Sequence, residues 1–110
     1  MERFLTRIAS GRTTVGDGAW GTSLMARGLR VQDCLESAVL HRPDLIEEIG
    51  AAYLAAGSEV LTTDSFGASP LKLEAYGLAG LTEEINRRAV ELLRGVAGDR
   101  AWIGGSVGPT

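Results

Sequence analysis

Three short apolar runs alternate with two amphipathic helical stretches, and each run closes on a polar or glycine-rich cluster. No other feature of the chain constrains its fold as tightly. Thr13-Thr14-Val15 is β-branched and stops at Gly16-Asp17-Gly18, the signature of a short strand entering a tight loop. Glu59-Val60-Leu61-Thr62-Thr63 reads as a buried strand, followed by the loop Asp64-Ser65-Phe66-Gly67. Ala101-Trp102-Ile103 is a third strand, running into Gly104-Gly105-Ser106.

The helices between them have clear signals. Pro43 suits a first helical position. Leu45, Ile46, Ile49, Tyr53 and Ala56 then recur at helical spacing, with Glu47 and Glu48 outward and Gly57 as the stop. A second helix is predicted over 82–97, with Thr82 as N-cap, Glu83 and Glu84 in its positive first turn and Gly98 at its end. Its apolar stripe is Ile85, Ala89, Leu92, Leu93 and Val96. Residues 1–10 form a short helix in this reading, with Phe4, Leu5 and Ile8 on one face, and 69–76 form one or two turns. Between 23 and 42 the pattern is mixed: Leu24, Met25 and Leu29 suggest a turn of helix stopped at Gly28, and Cys34-Leu35-Glu36-Ser37 has no period.

Strand, helix, strand, helix, strand predicts an α/β fold with a parallel sheet. The strand ends fall near Asp17, Thr63 and Ser106, about 45 residues apart. A parallel sheet needs both faces covered, and three strands with two good helices leave an edge open. The chain stops in what reads as a loop, Gly108-Pro109-Thr110. The expectation is therefore one partial domain over 1–110, truncated at its C-terminus.

Composition excludes several classes. At 45% hydrophobic and 23% charged residues the chain is not disordered. A net charge of −3 and a pI near 5.1 argue against a nucleic-acid partner. No run reaches the roughly 18 apolar residues of a membrane span, the N-terminus lacks a signal-peptide core, and one cysteine excludes an internal disulfide. A cytoplasmic protein is expected.

Gly16-Asp17-Gly18-Ala19-Trp20-Gly21 matches G-x-G-x-x-G, so a nucleotide-binding α/β domain is one reading. That fingerprint requires a following helix and then a strand ending in an acid, and residues 34–40 lead instead into a Pro-started helix. Asp17 between glycines at a strand end has two readings. It can receive an ammonium while neighbouring N–H groups hold a carboxylate, or it can stabilise its own turn. Thr62-Thr63-Asp64-Ser65 can bond a ligand or cap the next turn. Cys34 and His41 are the only soft metal ligands, too few for zinc, which needs three or four; they read as a buried thiol and a surface imidazole.

Together these motifs resemble the homocysteine S-methyltransferase family. Asp17-Gly18-Ala19-Trp20-Gly21-Thr22 resembles its D-G-[AG]-x-G-T loop. Arg42-Pro43-Asp44 with Tyr53-Leu54-Ala55-Ala56-Gly57 resembles its R-P-D…Y-x-x-A-G helix, and Thr63-Asp64-Ser65-Phe66 its T-N-T-F segment. Asn86-Arg87 also matches, and Gly105-Ser106-Val107-Gly108-Pro109-Thr110 resembles G-S-[IV]-G-P-T. The resemblance implies the N-terminal portion, about strands one to three, of a TIM-type (β/α)8 barrel, whose catalytic residues lie at strand C-terminal ends. It implies methyl transfer to the homocysteine thiol, giving methionine, with zinc held by a lone cysteine and a Cys-Cys pair expected beyond Thr110. Asp17 is then expected to receive the substrate amino group, Gly18 and Ala19 to meet its carboxylate, and Thr63 and Asp64 to face the same cavity. Asp64 replaces the common Asn. The resemblance is nearest to the homocysteine module of cobalamin-dependent methionine synthase, with methylcobalamin or a methyl-folate as candidate donor and fused cobalamin, folate or reductase domains as partners. S-methylmethionine remains a candidate donor, and Gly67, where the betaine-using branch has an aromatic residue, argues against betaine. A non-catalytic binding remnant of a barrel is the third reading.

Overall fold

The computed structural model describes residues 1–109. Eight elements follow in chain order. They are α1 (Phe4–Ala9), α2 (Gly21–Ala26), α3 (Ala38–His41), α4 (Pro43–Ala55), β1 (Val60–Thr62), α5 (Pro70–Glu74), α6 (Thr82–Ala97) and β2 (Trp102–Gly104). Short 3-10 turns at Val31–Asp33, Leu35–Ser37 and Ala79–Leu81 join some of them.

The two strands pair in parallel, Val60 with Trp102, Leu61 with Ile103 and Thr62 with Gly104. The first expected strand is reduced to a single parallel bridge, Gly16 to Val60. Val15 still supplies the carbonyl that takes the N–H groups of Glu59 (2.7 Å) and Val60 (3.2 Å). The first run thus lies where a strand would, on the far side of β1 from β2. Its glycines do not sustain a ladder.

β1 is the centre of the sheet. Leu61 is fully buried in one core with Ile46 and Ile49 of α4 and Ile85 and Leu93 of α6. α4 and α6 pack on each other and on the strands. They approach closely at Gly50, where a Cβ would stand 3.0 Å from a methyl of Leu93. Gly50 and Leu45, with Ile46 and Ile49, form the buried face of α4, and Ala56, expected there, is exposed. On α6 the expected stripe is buried except Val96, which is half-buried; Ala97 completes it.

Both long helices stop where glycine allows it: Gly57 has φ +104° and Gly98 φ +56°, conformations open to residues without a Cβ. Thr82 is not an N-cap. It is the first residue of α6, and its hydroxyl donates to the Ala79 carbonyl at 2.7 Å, because the preceding 3-10 turn feeds straight into the helix. Ser69, in contrast, caps α5 by accepting the Lys72 N–H.

The N-terminal helix forms as expected, yet Phe4, Leu5 and Ile8 are exposed. Polar and aromatic contacts hold this segment instead. Arg7 bonds both Glu2 and Glu59 at 2.6 Å and lies 5.3 Å from the Trp102 ring centre, and Trp102 Nε1 donates to the Glu2 carbonyl. No helix of the described residues is long and apolar enough to cross a membrane.

Because Leu61 is sealed between both helices, Leu61→Ala is expected to cost about 2–5 kcal/mol. Urea unfolding checks this as a lowered midpoint without a change of slope.

Candidate functional site

The C-terminal ends of the first run and of both strands converge on one cavity of about 330 Å³. Gly18, Thr63, Asp64 and Ser65 line it from the first two loops, Ser106 from the third, and Glu36 from the Leu35–Ser37 turn. A larger cavity, about 480 Å³, lies between Phe4 and the outer edge of β2. It has mostly apolar walls and contains none of the expected site residues.

Asp17 fastens the first loop to β1. Its Oδ2 accepts Trp20 Nε1 (2.8 Å) and the Thr62 N–H (2.7 Å), and the Thr62 hydroxyl lies within reach of both carboxylate oxygens. The role realised is therefore wider than stabilising its own turn, since one partner is 45 residues away. The single Thr62 proton serves one oxygen at a time, which leaves Oδ1 as the less committed acceptor.

Gly18 forms part of the wall because it has no side chain: a Cβ would stand 3.0 Å from the Tyr53 hydroxyl. Tyr53 in turn donates to the Ala19 carbonyl at 2.5 Å. Ala19 is exposed and sits beside the cavity rather than on its wall.

Thr63 closes a ring between the ends of β1 and β2. Its hydroxyl accepts the Ser106 N–H (3.0 Å) and pairs with Ser65 Oγ (2.5 Å), and Ser65 donates to the Ser106 carbonyl (2.9 Å). With one proton on each hydroxyl, Thr63 must donate to Ser65. It is 3% exposed. The hydroxyl cluster therefore locks the loops first and offers little donor capacity to a ligand.

Asp64 is the anomaly. It is 5% exposed, and its Oδ2 is buried with no hydrogen-bond partner. Burial, and secondarily the charge of Glu36, push its carboxyl up to about 8. Glu36 itself is held by the Gly67 N–H (3.3 Å) and by the Cys34 thiol (3.7 Å). Cys34, the one non-glycine residue with positive φ (+62°) among the described residues, joins the turns on either side of it. Its thiol is buried, and burial pushes it above the ordinary range. His41 bonds Ser37 Oγ and is exposed. Among the described residues no three His, Cys, Asp or Glu side chains stand close enough to hold a metal ion.

Glu36 and Ser106 were not foreseen as wall residues. Glu36 lies in the aperiodic stretch, so no face could be assigned to it. Ser106 had a signal, its place after the third strand. The dinucleotide reading loses its support here, because the described structure has no strand between α2 and β1.

Residues 14–110 match the homocysteine S-methyltransferase family, and the chain belongs to it. It is 32% identical to a methionine synthase of Mycobacterium tuberculosis (strain ATCC 25618 / H37Rv), over 96% of this chain and 10% of that protein. It is 35% identical to the homocysteine S-methyltransferase of Escherichia coli (strain K12), over 84% of this chain and 34% of that protein. The structure superposes on the homocysteine methyltransferase MmuM from Escherichia coli, in its metallated form, with a TM-score of 0.81 at 28% identity. That match covers 96% of this chain and 41% of the other. The chain thus spans from a tenth to about two-fifths of the length of these relatives.

Two outcomes follow from this geometry. Asp17→Ala leaves Trp20 Nε1 and the Thr62 N–H without their acceptor and is expected to cost about 1–3 kcal/mol in denaturant unfolding. For Asp64 the folded-state value lies above the ordinary 3.8, at about 8. The folded chain therefore binds the extra proton, and stability falls as pH rises across that interval. Thermal melts should show this decline in the wild type and a weaker one in Asp64→Asn.

Proposed function

We propose that this chain forms the first three strand units of a TIM-type (β/α)8 barrel that transfers a methyl group to the thiol of homocysteine, giving methionine. The observation that carries the reading is the convergence of the ends of the first run and of two parallel strands on one cavity, the place where such barrels keep their sites, in a chain of this family.

In this reading the cavity holds the amino-acid end of homocysteine. Asp17 fixes the first loop, which brings Gly18 to the wall and Ala19 beside it, so that backbone can approach the ligand closely. The ring through Thr63 fixes the second and third loops against each other. Such positioning lowers the barrier by removing motion from the reacting partners before the chemical step. Asp64 stands in the wall of the same cavity, with its side chain almost wholly buried.

Zinc, which the family resemblance implies, finds no ligand set among the described residues, and Cys34 is turned to Glu36. No step assigned to these residues runs through a metal; in the proposal its cysteines lie beyond Thr110. Methylcobalamin or a methyl-folate is the proposed donor, supplied with fused cobalamin, folate or reductase domains, and the cytoplasm is the proposed compartment. The likeness to a methionine synthase supports this choice. Gly67, with no side chain, supports it over betaine.

The test is calorimetric and chemical, on the full-length protein that carries this chain. L-homocysteine is expected to bind and to raise the melting temperature, NAD is expected to do neither, and methionine should form when methylcobalamin or methyl-folate is supplied. Protection by NAD with none by homocysteine would overturn the reading in favour of a nucleotide site.

A further inference from the structure

Two segments far apart in the chain are joined beside the cavity by a hydrogen bond. The Gly67 N–H, in the loop after β1, donates to Glu36 Oε2 at 3.3 Å across 31 positions. The other Glu36 oxygen accepts the Cys34 thiol, 3.7 Å away. Gly67 supplies the room for this contact. A Cβ there would stand 3.2 Å from the Glu36 carboxyl carbon and from both of its oxygens, so a side chain at 67 would push the carboxylate away.

The same loop carries a second carboxyl without such support. Asp64 is 5% exposed, and its Oδ2 is buried with no hydrogen-bond partner. Ionisation there would leave a charge with neither water nor a counter-ion, so burial favours the neutral acid. Burial, and then the charge of Glu36, push its carboxyl up to about 8. No basic group offsets this. The charged residue of the first loop is Asp17, tied to Trp20 and Thr62, and α2 contributes Gly21 to the wall. The Leu35–Ser37 turn presents Glu36, with the Cys34 thiol bonded to it. Ser65 on the loop and Ser106 after β2 are uncharged, and no lysine, arginine or histidine lines the cavity.

We infer that the Glu36–Gly67 bond is a proton-controlled latch: with Asp64 protonated it holds the 64–67 loop against the 34–37 turn, and loss of that proton to solvent lets the two part. Ionised Asp64 is a buried charge beside another carboxylate. The Thr63–Ser65–Ser106 ring anchors the start of the loop, so the motion falls on Phe66, Gly67 and the Glu36 side chain. Their separation takes Glu36 away from Asp64 and lets water reach it.

The direction of the pH response follows. The shut form keeps the proton up to about 8, and the open, hydrated form releases it near the ordinary 3.8. The open fraction therefore grows as pH rises between these values and levels off above about 8. The latch sets how wide this side of the cavity stands, whatever ligand the cavity takes.

Hydrogen exchange of the full-length protein, read by mass spectrometry and divided by the unstructured-chain rate at each pH, tests the latch. In the wild type, protection of the 64–68 peptide is expected to fall about tenfold per pH unit between about pH 5 and 7 and to level off above about 8. It should lie at least about tenfold below that of α4 and α6 and stay unchanged in dilute urea, the marks of a local opening. Asp64→Asn, which cannot ionise, should keep the peptide protected and abolish the pH dependence. Gly67→Ala, which displaces Glu36, should leave it exchanging fast at every pH. A slope that survives in Asp64→Asn, a urea response equal to that of α4 and α6, or Gly67→Ala as protected as the wild type would each overturn the latch. No ligand enters these readings, so the latch and the homocysteine reading stand or fall separately.

Discussion

A parallel strand of three residues makes too few ladder bonds to hold a sheet, so the contacts at its ends decide whether the sheet exists. In this chain the decisive contact is the Asp17 carboxylate on the Thr62 N–H and hydroxyl, at the C-terminal end of β1. It replaces the ladder that the first run does not form. The Thr63–Ser65–Ser106 ring does the same between β1 and β2. Both locks lie at the cavity end of the sheet, so the groups that stabilise the fold also set the shape of the site.

The opposite end of the strands is held differently. Arg7 bridges Glu2 and Glu59 and lies over Trp102, tying residues before the first run to both strands. These ion pairs are partly exposed and are worth less individually than buried bonds. The outer edge of β2 has no partner strand among the described residues. Strand alternation turns the Ile103 N–H and carbonyl toward it.

Much of this was legible in the sequence, for identifiable reasons. α4 and α6 each carry a long apolar period, a start signal and a glycine stop, so several independent rules agree on them. β1 and β2 were found because apolar runs between helices have few alternatives. The first strand was overread: Thr13-Thr14-Val15 has strand propensity, but pairing depends on what lies alongside, and Gly16 ends the match after one bridge. The stretch 31–41 was illegible because its turns follow hydrogen bonds such as Ser37 Oγ to the Cys34 carbonyl, not hydrophobic period. Glu36 was missed with it. Of the five expected site residues, Gly18, Thr63 and Asp64 line the cavity and Asp17 and Ala19 stand beside it. What spacing could not reveal is how far Asp17 and Thr63 are already engaged by their neighbours.

The neutrality of Asp64 has a consequence for how such a position can vary. A carboxylic acid that keeps its proton has the size and shape of a carboxamide, and each offers one acceptor oxygen and at least one donor hydrogen. A protonated Asp at 64 and an Asn in its place are then near isosteres, one oxygen exchanged for one nitrogen. They part only as pH rises past about 8, because the acid can ionise and the amide cannot. An exchange between them would leave the resting architecture almost untouched while changing the charge the site can present.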